Sequence, residues 1–213
     1  MGNELTLSVN SFYWSFVVTA ILWVLCWYVG TQVKKGNTWT YAVMALWNWL
    51  ISYGRQLLGD YAEDAMPFLV SFFVYILTAN WLGLLPGFIA PTRDLSVTLG
   101  LAILLLVWIH AFAIRKMGWK KYLGVFFTPA WWMFPLNLME HITRLLSLSV
   151  RLYGNVSGEH LAVAVISLLV PLIAPIPLIG LSMFTGFIQA YIFMTLGMAY
   201  TAEFLEEGGL LHD

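Results

Sequence analysis

Cysteine and charge are what this sequence has least of. One cysteine in 213 residues, Cys26, excludes a disulfide framework and a cysteine metal cluster. Charged side chains make up only 10% of the chain and the formal net charge is −1, which leaves no basic stripe for nucleic acid. No nucleophile triad, P-loop or metal-ligand spacing occurs. A catalytic site of its own, a metal and a cofactor are therefore not expected. Residues 1–10 lack a basic segment and no A-x-A cleavage site follows, so the first apolar run is expected to stay as a span and not to be removed as a signal peptide. The start MGNELT fits a myristoylation pattern, a short signal that would add little beside an adjacent span.

What is abundant is apolar surface. The chain is 61% hydrophobic, which excludes an ordinary soluble domain. The expected architecture is an all-α integral membrane protein, a single membrane domain over 1–213. It has about five transmembrane helices and one interfacial amphipathic helix. Span 1 is 11–33, stopped by Lys34 and Lys35, and is long enough to cross about 30 Å of hydrocarbon. Residues 38–60 mix Trp47, Trp49, Leu50, Tyr53, Leu57 and Leu58 with Asn48, Arg55, Gln56 and Asp60, the pattern of an interfacial helix. Asp60, Glu63 and Asp64 read as a solvated turn. Span 2 is 66–88, with Asn80 inside it and an exit loop at Pro86, Gly87 and Pro91. Span 3 is 95–114 and holds His110.

Arg115, Lys116, Lys120 and Lys121 form the strongest basic cluster, which the positive-inside rule places in the cytoplasm. The N-terminus is then outside and the C-terminus inside. Trp131 and Trp132 read as an interface anchor. The segment 131–170 would be about 60 Å long if wholly helical, twice what a perpendicular span needs. It must tilt strongly, bend, or form a hairpin. Pro171, Pro175 and Pro177 predict an outside turn before the last span, 178–205, which is also long.

Arg151 is the residue around which the chain is organised. It lies in an uncharged run between Arg144 and Glu159, where an arginine costs a few kcal/mol or more. At about 100° per residue, Glu140, Arg144, Ser147, Arg151, Gly154 and Gly158 share one face. Gly154 and Gly158 form a GxxxG pair that admits another backbone. The face therefore presents a cation among small packing residues, Ser147 included, to a close partner. Arg144 reads as a mouth residue paired with Glu140 four positions earlier. The last span also has a polar face of Ser182, Thr185, Gly186, Gln189, Gly197, Tyr200 and Glu203. Gln189 in mid-span needs hydrogen-bond partners there, from helix–helix contact or from an aqueous path.

The run LSVRLYGN at 148–155 resembles the signature of subunit a in the membrane sector of F-type ATP synthases. The spacing of PLNLMEHITRLLSLSVR at 135–151, IQAYIFMTLGMAY at 188–200 and PTRDLSVTLGLA at 91–102 is similar to that family in the same order. The resemblance implies an ion-translocating stator against a ring of small c-type helical hairpins, each with a membrane carboxylate. It also implies a b-type peripheral-stalk partner, a soluble catalytic head and a bacterial inner membrane. Arg151 would face the ring carboxylates between two offset half-channels, and last helices strongly tilted against the ring would carry them.

Other roles implied by position are Gln189 near the arginine, Asn155 on a polar path and Asp94 at the outer mouth. Glu203 and Glu206 would lie at the inner mouth. One departure is visible. Position 160 is His160 where many members carry glutamate, the glutamate here is Glu159, and Ser182 stands where many have histidine. Glu159 and His160 are both candidate relays. The competing readings are a membrane b-haem protein using His110, His141 and His160, and a secondary transporter, against which the absence of an inverted repeat counts.

Overall fold

The computed structural model describes residues 2–34, 38–84, 88, 90–126, 132, 134–169 and 175–211. Pro86, Gly87, Lys35, Trp131 and Pro171, on which several expectations fall, lie outside them. The described residues are helical, with no strand, and the molecule is an all-α integral membrane protein. In chain order the helices are α1 (Gly2–Lys34), α2 (Thr38–Leu58), a 3-10 turn (Gly59–Tyr61) and α3 (Ala62–Leu82). A second 3-10 turn (Pro91–Arg93), α4 (Leu95–Met117), α5 (Trp119–Phe126), α6 (Phe134–Leu169) and α7 (Pro175–Glu207) follow.

Four segments among the described residues are long and apolar enough to cross a membrane: Ser11–Val33, Thr40–Leu82, Leu95–Met117 and Pro177–Glu207. The second runs through both α2 and α3. In α6, Glu140, Arg144, Arg151 and Glu159 interrupt the apolar run.

The core forms where α3, α4 and α7 meet. Leu69 and Ile76 of α3, Leu105 and Ile109 of α4, and Phe193, Met194 and Met198 of α7 are fully buried. Phe72 and Phe193 stack with centroids 5.8 Å apart. Gly197 packs tightly here: a Cβ there would meet Leu69 Cδ2 at 2.8 Å and Leu105 Cδ1 at 3.4 Å, so a small residue favours the close fit of α7 on α3 and α4. α6 lies at the side of this core and inserts Leu148, Ser149, Leu152 and Val156, which share one face at helical spacing.

Several boundaries differ from those expected. The span placed at 66–88 is a helix that begins at Ala62 and ends at Leu82. Its first turn is held by pairs that sequence spacing did not reveal: Glu63 with Arg55 of α2, and Asp64 with Lys116 of α4. These two acids are solvated as expected, but they stand in the first turn of a helix with cation partners and not in a turn, a favourable place for carboxylates on the helix dipole. α4 continues past Ile114 to Met117, with Arg115 and Lys116 in its last turn, and stops at Gly118, whose φ of +80° suits glycine. The basic loop then contains a helix of its own, α5. Segment 131–170 holds one uninterrupted helix, not a hairpin. At 36 residues it is about 54 Å long.

Candidate functional site

Polar groups gather where α6 and α7 run side by side, and they pair in sequence-antiparallel order. Nearest the α6 start, Arg144 donates to Glu140 on its own helix and to Glu203 of α7. The Arg144 guanidinium also stacks 4.7 Å from the Tyr200 ring centroid. Further along, Asn155 Nδ2 donates to Gln189 Oε1 at 2.6 Å. One turn beyond, Thr185 Oγ1 donates to Glu159. Successive residues four apart rotate about 40°. Arg151, Asn155 and Glu159 therefore climb α6 while turning progressively toward α7.

Arg151 sits between the first and second of these contacts and forms no ion pair among the described residues. It is exposed, as are Glu140, Ser147, Gly154 and Gly158 on its face. A Cβ at Gly154 or at Gly158 would meet nothing within 4 Å. Among the described residues, the two glycines of this stripe pack against no other helix. Exposed Leu146, Val150 and Tyr153 flank it. An uncovered, apolar-edged face with one unpaired guanidinium at its centre is the distinguishing feature of the molecule.

Gln189 is 1% exposed, and its Nε2 has no acceptor among the described residues. A buried amide donor left so costs about 1–3 kcal/mol. Ser182 is buried one turn before Thr185, and its carbonyl accepts the Thr185 hydroxyl at 3.2 Å. Asp94 is the N-cap of α4 and accepts from Ser96 N at 2.9 Å. Glu203 is engaged by Arg144. His160 lies on α6, but its side chain is outside the described residues. The structure thus brings together Asn155, Glu159, Thr185 and Gln189, and leaves Asp94 in a separate place.

Two polar links escaped the sequence reading. Thr92 Oγ1 donates to Asn80 Oδ1 at 2.8 Å, and Asn80 Nδ2 reaches the Gly186 carbonyl at 3.5 Å. The Thr98 and Ser149 hydroxyls lie 3.3 Å apart, joining α4 to α6. Ser149 and Ser147 differ by two positions, about 200° on a helix. Periodicity against Leu148 and Leu152 would have assigned Ser149 to the buried side.

The whole α6–α7 arrangement except Glu203 falls inside residues 12–202, which match the family model described as ATP synthase A chain. This chain belongs to the ATP synthase A chain family. An ATP synthase subunit a of Campylobacter jejuni is 40% identical over 167 residues, covering 75% of this chain and 74% of the relative. One of Syntrophobacter fumaroxidans is 37% identical over 182 residues, covering 82% and 74%. One of Legionella pneumophila is 38% identical over 148 residues, covering 70% of this chain and 64% of the relative. The chain thus matches less than two thirds of that relative's length.

Family membership and geometry together weigh against the haem reading. The His110 and His141 rings lie with centroids 5.1 Å apart and both contact Phe204. Axial ligands to one haem stand on opposite faces of a macrocycle, and these two imidazoles touch each other.

Proposed function

We propose that this chain is the ion-translocating stator subunit of an F-type ATP synthase, coupling ion flow across the membrane to ring rotation and ATP synthesis. The observation that carries the reading is the unpaired Arg151 on an uncovered small-residue face, flanked on α7 by polar groups. A ring of helical hairpins with one carboxylate each is the partner whose chemistry fits that face. A fixed guanidinium lowers the pKa of a carboxylate brought beside it and favours release of its ion. The same charge opposes direct passage of cations past it. Arginine suits the task because it keeps its proton when desolvated, whereas lysine can lose it.

Glu159, Thr185, Asn155 and Gln189 line the approach to Arg151 from one side. A carboxylate, a hydroxyl and two amides in succession can hand on an ion or orient water. Ser182 borders this path, and His160 is a second relay candidate on the same helix. Asp94 lies at the outer mouth and Glu203 at the inner one, with Glu203 acting through its pair with Arg144. Ser147, Gly154 and Gly158 let the ring helices approach. Each elementary charge crossing 100 mV supplies about 2.3 kcal/mol, so several ions per ATP are required and a rotating ring gathers them. The chain has no catalytic site of its own. ATP forms in a soluble head held by a b-type peripheral stalk. The basic end of α4 faces the cytoplasm of a bacterial inner membrane, with the N-terminus outside and the C-terminus inside.

The test is Arg151→Ala in the reconstituted complex in vesicles. Ion-driven ATP synthesis should vanish, and passive ion leak should appear after the soluble head is stripped. Coupled synthesis near the wild-type rate would reduce Arg151 to a structural cation and remove the basis of the proposal.

A further inference from the structure

α5 is short, yet its residues divide into three strips. At about 100° per residue, Tyr122 and Val125 fall on one side, and both are buried against the rest of the chain. Trp119 and Leu123 fall next to them and are 60% and 42% exposed. Lys120 and Lys121 complete the circumference and are exposed. The helix is fastened by Tyr122, whose ring lies 6.0 Å from His110 of α4 and 6.1 Å from Phe204 of α7. Gly118, with its φ of +80°, breaks α4 and lets α5 begin within one residue of its end.

The depth of this element follows from α4. Its 23 residues measure about 34 Å, close to the hydrocarbon thickness of about 30 Å. Arg115 and α5 therefore sit at headgroup level. There Trp119 and Leu123 can enter the acyl boundary while the cations stay at phosphate height, the arrangement of an interfacial helix. Lys116 is not available for this, because it pairs with Asp64 and lies 5.5 Å from the Tyr61 ring centroid. Arg115, Lys120 and Lys121 form no ion pair among the described residues and remain directed to whatever lies outside the protein.

We infer that Arg115, Lys120 and Lys121, with Trp119 and Leu123 beneath them, form a binding site for the phosphate headgroup of an anionic phospholipid. The charge is of the right sign, the height is that of the phosphates, and the adjoining strip is apolar where acyl chains begin. An acidic soluble protein would match the lysines but would leave Trp119 and Leu123 without an apolar partner.

The experiment is native mass spectrometry of the full chain released from nanodiscs of phosphatidylglycerol and phosphatidylcholine in equal parts. The wild type should retain phosphatidylglycerol preferentially. Lys120→Gln with Lys121→Gln should lower that preference about fivefold for each cation removed. Lys120→Arg with Lys121→Arg should preserve it. Arg93→Gln, an exposed cation at the other end of α4, should leave it unchanged. An unaltered preference in the glutamine variant, or an equal fall with Arg93→Gln, overturns the inference. So does an unaltered preference accompanied by loss of a co-purifying acidic protein, which would assign the patch to a protein partner.

Discussion

Arg144 and Arg151 stand two turns apart on one face of α6, and they have opposite surroundings. The Arg144 side chain is 12% exposed, bound to Glu140 and Glu203 and stacked on Tyr200. Arg151 is exposed and has no carboxylate partner among the described residues. The helix supplies both with the same orientation, so the difference lies in what α7 brings alongside. A guanidinium satisfied by two acids fastens helices together. One left unsatisfied is free to act on something that arrives. On the proposed reading, structure and reactivity are thus separated on one helix by withholding a counter-ion.

The most severe way to break the contrast is to remove the unpaired member. Arg151→Ala and Arg151→Lys should both abolish ion-driven ATP synthesis while leaving the thermal unfolding midpoint close to wild type. The next is to pair it. Ser147→Glu places an acid four residues before Arg151, in the relation Glu140 has to Arg144, and should cut ATP synthesis more than tenfold by occupying the guanidinium. Third, Arg144→Ala leaves Glu203 without its cation. It should destabilise the chain by about 1–3 kcal/mol, read as a lowered unfolding midpoint, with coupled synthesis reduced but present. Exchanging the charges, Arg144→Glu with Glu203→Arg, should recover part of that loss. The smallest effect is expected at Thr185→Val, which removes the donor to Glu159. It should cost about 1 kcal/mol and slow synthesis severalfold, measured at saturating driving force.

The contrast was partly legible beforehand. The face that Arg151 shares with Ser147, Gly154 and Gly158 and the Arg144–Glu140 pair follow from helical spacing, because each concerns residues of one helix. The all-α membrane class follows from long apolar runs. What sequence could not supply was the height of α7 against α6. Thr185 and Gln189 were visible as a polar face, but their pairing with Glu159 and Asn155 depends on how two long helices cross. Glu203 was expected at a mouth, and its bond to Arg144 is a tertiary fact of the same kind. The acids at Glu63 and Asp64 read as a turn in the sequence because their cations come from α2 and α4, outside the local run. α5 was hidden because eight residues are too few to show a period beside so many lysines.

The uncovered face of α6 also bears on the life of the chain before assembly. Under the proposed stator role, the Arg151 guanidinium and the two glycines would look onto lipid until a ring covered them, at a cost of a few kcal/mol. α6 is held to the core by Leu148, Ser149, Leu152 and Val156 and to α7 by Arg144, Asn155 and Glu159, so that cost is borne without releasing the helix. By the same reading, a copy made in excess of the proposed ring would keep this face uncovered in the bilayer and so carry its own mark of incompleteness.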